Sequence, residues 1–237
     1  MYKEHRAFET PPDTCTIWKY MSFAKFVWLL ARESLYFSRL DQYDDWWEGL
    51  LRRDRNVEGK KYIRYNKYIN CWHMNDSESD AMWKLYGNPA GETVAIQTNV
   101  GRLTKSLEKC PIDVYIGRIK YEEKNIPEGN LYIPVLYKRK AFQHENELRL
   151  CISSPRNDNP PDFTQFKEAL ARFGIDNKSD LDILKEIGDK SIPVRVDLKQ
   201  LIDEVIICPN SRDSLIDSVE YVMEGKVSKS KLRKSTI

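Results

Sequence analysis

Long apolar runs are missing from this chain of 237 residues. The longest mostly apolar stretch, Phe23 to Leu30, is broken by Lys25, whereas a membrane-spanning helix needs roughly 20 apolar residues. The opening MYKEHRAFET lacks the apolar region of a signal peptide, so neither a membrane nor export is expected. An excess of one charge is missing too. The 38 Lys and Arg face 36 Asp and Glu, a formal net charge of +2, which excludes a surface that is nucleic-acid or membrane glue throughout and confines any such role to a patch. Cys15, Cys71, Cys110, Cys151 and Cys208 are odd in number, dispersed and without a CxxC pair, which fits reduced thiols in the cytoplasm better than a disulfide framework. There are no repeats or low-complexity tracts, and no P-loop, GxGxxG, HExxH, GxSxG or paired-cysteine zinc signature. A composition of 41% hydrophobic and 31% charged residues nonetheless builds a core under a generous solvated surface, and excludes wholesale disorder.

Patterning predicts a sequence of strands and helices. Thr14 to Tyr20 is β-branched and aromatic, a strand; Ser22 caps a helix whose Phe23, Phe26, Val27 and Leu30 share one face. Ser34 to Ser38 reads as a second strand and Arg39 to Gly49 as a polar, aromatic loop. Ile69 to His73 is a strand, and Ser77 with Asp80 is expected to form a capping box for a helix carrying Met82, Trp83 and Tyr86, stopped at Asn88-Pro89-Ala90-Gly91. Further strands are expected over Glu92 to Thr98, Ile112 to Tyr121, Glu147 to Ile152, Ser191 to Val196 and Glu204 to Cys208. Beyond the linker of Pro155, Pro160 and Pro161, Phe163 to Phe173 and Leu181 to Ile187 are expected to form a helical lobe near 163–188. Leu215, Val219 and Val222 mark a last helix ending at Gly225, before a basic tail over 226–237. Helices interspersed with unlike strand groups predict a single α+β domain, with a mixed sheet and flanking helices, over 1–237.

Four groups of residues could carry chemistry. Cys71-Trp72-His73 offers a thiol and an imidazole on one strand face, a weak basis for a metal or for a nucleophile pair of Cys71 with His73 or His144. Asp41, Asp44, Asp45 and Glu48 are carboxylates dense enough to need a cation, metal or backbone donors, or else a solvated turn. Glu145 and Glu147 alternate into an apolar strand and so point to one face, where Lys138, Arg139, Arg149, a divalent ion or a cationic transition state would have to oppose them. Arg52, Arg53, Lys61, Arg64 and Lys67, interleaved with Tyr62, Tyr65 and Tyr68 in a basic insertion near 52–68, could track phosphates and stack bases, as could the tail. A charged helix packing its tyrosines on the core would carry the same letters.

Trp18-Lys19-Tyr20, SLYFS (34–38), Asp44-Asp45-Trp46-Trp47-Glu48, CWHMND (71–76) with MWKLY (82–86), Gly91 before VAIQT, Lys138 with FQHENELRL (142–150) and VDLKQLIDEVIICP (196–209) together resemble the DUF2971 family, uncharacterised prokaryotic proteins. Tyr43-Asp44-Asp45 stands where that family usually has Asn-Asp-Pro. The order of strand, helix, strand with Tyr or Ser, and late strand opened by a glutamate is also similar to ADP-ribosyltransferases of the DarT type, with Lys19 where those usually carry His or Arg. That second resemblance implies an ADP-ribosyltransferase-like fold using NAD. Lys19 and Tyr20 would hold its adenosine or ribose side, Tyr36 and Ser38 would surround nicotinamide, and Glu147, or Glu145, would stabilise the oxocarbenium-like charge. The function expected is transfer to a macromolecule such as nucleic acid, in phage defence or toxin activity. The alternatives are a metal-dependent nuclease using Asp44, Asp45, Glu48, Glu145 and Glu147, or a noncatalytic nucleic-acid-binding module.

Overall fold

A computed structural model describes residues 1–43, 64, 66–87, 91–123, 126–127, 130–153 and 190–237. Asp44, Asp45 and Glu48, the window residues Arg52, Arg53 and Lys61, and the helices expected over 163–188 lie outside the described residues.

Ser22 links the first two elements. It ends β1 (Thr16–Ser22) and caps α1 (Phe23–Arg32), its hydroxyl accepting the Lys25 N–H at 3.4 Å. Helix α1 buries Phe26, Leu29 and Leu30 and stops at Glu33, which adopts the left-handed conformation and returns its N–H to Leu29. The chain continues through β2 (Ser34–Arg39), β3 (Lys67–Met74), α2 (Asp80–Tyr86), β4 (Thr93–Asn99) and α3 (Val100–Ser106). Then come β5 (Tyr115–Arg118), β6 (Lys120–Tyr121), β7 (Tyr137–Lys138), β8 (Glu147–Ser153) and β9 (Ser191–Arg195). The described elements end with α4 (Leu198–Leu201), β10 (Glu204–Ile207), α5 (Asp213–Met223) and β11 (Leu232–Lys234). The domain is α+β, and its described strands form a mixed nine-stranded sheet in the order β11-β10-β4-β1-β3-β2-β9, to which β8 and β5 attach through β3.

Strand β3 is the junction. One edge pairs with β8 from Lys67↔Ser153 to His73↔Glu147. The other is shared: β1 takes His73 and Met74, β2 takes Tyr68 and Ile69, both antiparallel. Between those contacts β1 and β2 diverge, β1 onto β4 and β2 onto β9, with α1 joining them. Buried backbone polar groups need partners, and side chains supply them at this fork. The Asn70 amide donates to the Tyr36 carbonyl (2.7 Å) and accepts from Trp72 Nε1 (2.9 Å), while Lys19 Nζ donates to the Cys71 carbonyl (2.8 Å).

Alternate residues of β3 and β8 enter different cores. Tyr68, Trp72, Leu148, Leu150 and Ile152 join the larger one with Phe26, Val94 and Val219, whereas Ile69 and Cys151 join Phe8, Leu40, Val135 and Leu136. Burial of both faces explains why these segments read as continuous apolar runs.

Some expectations need correction. Ser79, not Ser77, caps α2, its hydroxyl accepting the Met82 N–H at 3.3 Å, because the Ser79 N–H is held by the Tyr20 hydroxyl (3.0 Å) and fixes where the helix begins. Ile112 to Tyr121 is not one strand: β5 stops at Arg118, and Lys120–Tyr121 turns away to pair with β7. Helix α3, capped by the Asn99 side chain on the Arg102 N–H (2.8 Å), has no counterpart in the expected elements.

Replacing Asn70 by Ala removes the partner of both Tyr36 O and Trp72 Nε1, and each buried group left unpaired costs about 1–3 kcal/mol. Urea unfolding of Asn70→Ala should therefore show a loss of about 2–4 kcal/mol. An unchanged midpoint would contradict the assigned role.

Candidate functional site

The fork opens into a cleft of about 880 Å³. Its walls come from β1, the first turns of α1, β2, the middle of β3, the end of α2 and the segment around Lys138 and Glu145. Lys19, Tyr20, Tyr36, Ser38, Glu145 and Glu147, far apart in sequence, all line it.

The carboxylates form its charged corner. Glu145 ends a short 3-10 turn (Lys140–Glu145), Asn146 adopts the left-handed conformation with φ 37°, and Glu147 opens β8. Simple strand alternation is thus broken, yet both carboxylates converge on one ammonium: Lys138 Nζ lies 2.7 Å from Glu145 Oε2 and 3.3 Å from Glu147 Oε2. Glu147 is also gripped from its own strand, by Arg149 Nε on Oε1 (2.7 Å) and Arg149 Nη2 on Oε2 (3.0 Å), and its N–H donates to the Tyr121 hydroxyl (2.8 Å). Arg149 is fully buried and donates from Nη1 to the Val135 carbonyl (2.8 Å). Burial alone would raise the pKa of Glu147, but the Arg149 guanidinium and the Lys138 ammonium outweigh it and hold the carboxyl well below the usual range. Glu147 is therefore a saturated, buried anion. Glu145 is more accessible, and among the described residues no donor reaches its Oε1.

Lys19 sits at the base of the fork, 5.4 Å from the centre of the Trp72 ring, and burial lowers its pKa to about 8. Tyr20 is buried. Its hydroxyl is committed to Ser79 and pushed up to about 12 by burial, and its ring packs edge-on against Trp83 at 4.8 Å. Tyr20 thus lines the cleft with its ring held by Trp83 and its hydroxyl accepting from Ser79. Tyr36 is half exposed and meets Trp28 edge-on at 5.6 Å; Ser38 is held in the ladders of β2 with β3 and β9. With the exposed Leu85 and Tyr86 of α2, Trp28 and Tyr36 make an aromatic and apolar rim. Sequence reasoning missed Trp28 and Leu85. A signal existed for Trp28, an aromatic residue standing outside the 23, 26, 27, 30 apolar face of its helix.

Other candidates do not assemble into sites. Burial, with the Glu147 charge beside it, pushes the Cys71 thiol far above its usual pKa, so the Cys71 and His73 pair has no thiolate to use; His144 is exposed on the 3-10 turn. Among the described residues no group of three or more His, Cys, Asp or Glu side chains could hold a metal ion. Lys67, expected on a phosphate-tracking surface, is a correction. It is the first residue of β3, 4% exposed, with Nζ 2.6 Å from Ser153 Oγ and 4.0 Å from the centre of the Tyr132 ring. Tyr68 beside it belongs to the core, and Arg64 is half-buried and donates to the Tyr43 carbonyl (3.2 Å). The tail is likewise tied to the domain. Strand β11 pairs with β10, Lys226 meets Glu33 (2.7 Å), Lys229 meets Glu220 (3.6 Å), and Arg233 meets Glu204 (2.7 Å) and Glu78 (2.6 Å).

No helix among the described residues is long and apolar enough to cross a membrane. Comparison with protein-family models, curated proteins and solved structures finds no match.

The geometry separates the two carboxylates experimentally. Glu147→Gln leaves Arg149 buried without its carboxylate and should cost about 3–5 kcal/mol, whereas Glu145→Gln leaves Lys138 its contact with Glu147 and should cost less. Because the native pKa of Glu147 is depressed, its contribution is complete above the ordinary carboxylate value of 4.5 and is lost as pH falls below it. Acid unfolding followed by circular dichroism should therefore be less steep in Glu147→Gln than in the native protein, and an equally steep curve would contradict the assignment.

Proposed function

We propose that the cleft binds NAD and that the chain is an ADP-ribosyltransferase-like enzyme, cleaving the bond between nicotinamide and ribose and passing ADP-ribose to a macromolecule. The observation that carries this reading is the meeting of Lys19, Tyr36 and Glu145 in one cleft where β1 and β2 part. A volume of about 880 Å³ lies within the range of small-molecule sites, about 300–1,000 Å³. The rim of Trp28, Tyr36, Leu85 and Tyr86 offers flat contact to a base or to nicotinamide. Lys19 and Lys25 supply positive charge for a pyrophosphate.

Cleavage of the glycosidic bond builds positive charge on ribose, which a fixed carboxylate stabilises. Glu145, with Oε1 open and Oε2 anchored on Lys138, fits that role better than Glu147, both of whose oxygens are occupied. Glu147 acts one step back, holding Lys138 in place. The motif likeness to DUF2971 supports a prokaryotic or phage setting, with defence or toxin activity as its context.

The test is transfer of label from adenylate-labelled NAD into bacterial lysate, DNA and RNA. Native protein should transfer label, identifying the acceptor class, and Glu145→Gln should lower the rate by at least about a hundredfold. Intact NAD and unlabelled acceptors under every condition would overturn the reading. Lys19 adds a pH signature. Its charged form is the one that attracts a pyrophosphate, so NAD affinity should fall as pH rises through about 8, by about tenfold or ~1.4 kcal/mol, and Lys19→Gln should flatten that dependence.

A further inference from the structure

His73 also lines the cleft. It lies on β3 between Trp18 of β1 and Glu147 of β8 and is 6% exposed. Its Nδ1 is 2.6 Å from the main-chain oxygen of Glu145. A carbonyl oxygen only accepts, so Nδ1 carries the proton and Nε2 carries the lone pair. That Nε2 is buried and has no hydrogen-bond partner among the described residues, a state that costs about 1–3 kcal/mol unless a donor arrives. Burial, opposed by the hydrogen bond to the Glu145 carbonyl and by the Glu145 carboxylate, lowers the pKa of the ring below that of free imidazole, which keeps it neutral at pH 7. The other charged and titratable groups lining the cleft include Lys19 and Tyr20 on β1, Cys71 on β3, Tyr86 on α2, Lys138 on β7 and Glu147 on β8.

We propose that Nε2 of His73 is the proton acceptor for the attacking group, and that the acceptor molecule is therefore one whose nucleophile carries a proton at neutral pH, a hydroxyl or an N–H, rather than a carboxylate. The inference rests on the NAD reading. In the step, the O–H or N–H proton passes to Nε2 and the freed electron pair forms a bond to ribose C1′. The bond from C1′ to nicotinamide breaks, and nicotinamide leaves as a neutral molecule with that bond's electrons. The imidazolium keeps its Nδ1–H on the Glu145 carbonyl, with the Glu145 carboxylate near enough to favour its charge.

Two substitutions separate proton transfer from mere support of Glu145. His73→Asn retains an N–H close to the Nδ1 position but has no Nε2; His73→Ala leaves a space that free imidazole can enter. Single-turnover transfer by His73→Asn should fall at least about a hundredfold while its NAD Kd, read from tryptophan fluorescence, stays within about twofold of native. Imidazole in the buffer should restore at least about tenfold of the rate lost in His73→Ala. Native transfer with an undiminished His73→Asn rate, or with His73→Ala deaf to imidazole, overturns the proposal and leaves the NAD reading standing. Absence of both NAD binding and transfer in the native protein overturns the two together.

Discussion

Strand β3 has one free backbone edge and two strands that need it. β1 takes its last two residues and β2 takes positions near its start, so among the described residues the stretch from Asn70 to Trp72 has no strand beside it on that edge. Closing the gap with a further strand would bury it; leaving it open without partners would strand peptide groups in a low-dielectric interior. Asn70 and Lys19 resolve the conflict by bonding the exposed carbonyls from the side, which keeps the fork open. The cleft, the depressed pKa of Lys19 and the placement of α1 across the opening all follow from that sharing.

Charge is divided at the far end of the cleft in a related way. Glu147 and Arg149 stand on one strand, and their bidentate contact is sealed inside the protein. Such a pair contributes little against an apolar substitute but is costly to break from one side, which makes it a rigid mount. Lys138 extends the mount to Glu145, whose remaining oxygen is left for the cleft. The C-terminal strand steadies the opposite wall: Glu78, just before α2, accepts from Arg233 (2.6 Å) and Trp83 Nε1 (3.2 Å), tying the tail to the helix that presents Leu85 and Tyr86. The tail's cations thus serve the fold.

Much of the framework was legible because its signals are local. The strand of Thr16–Ser22, the Ser22 cap and the apolar face of α1 follow from β-branching, a cap residue and a helical period within one short window. The α+β mixed sheet followed from the order of such segments. What was not legible depended on distant partners. Ser77 and Ser79 are equivalent as letters, and only the Tyr20 hydroxyl decides between them. Lys67 reads as surface charge until Ser153 and Tyr132, remote in sequence, enclose it. Lys19, Tyr36 and Glu145 could be singled out by chemistry and resemblance, but their meeting in one cleft is a property of how β1 and β2 leave β3. The differing fates of Glu145 and Glu147 turn on a left-handed Asn146 that strand alternation does not foresee.

A crystal structure of the protein saturated with NAD tests the central claim most directly. The account predicts the dinucleotide in the fork, with an aromatic ring against Tyr36 or Trp28, the pyrophosphate toward Lys19, and a ribose hydroxyl within hydrogen-bond distance of Glu145 Oε1. A fork that stays empty at saturating NAD, or a nucleotide bound elsewhere on the domain, would contradict it.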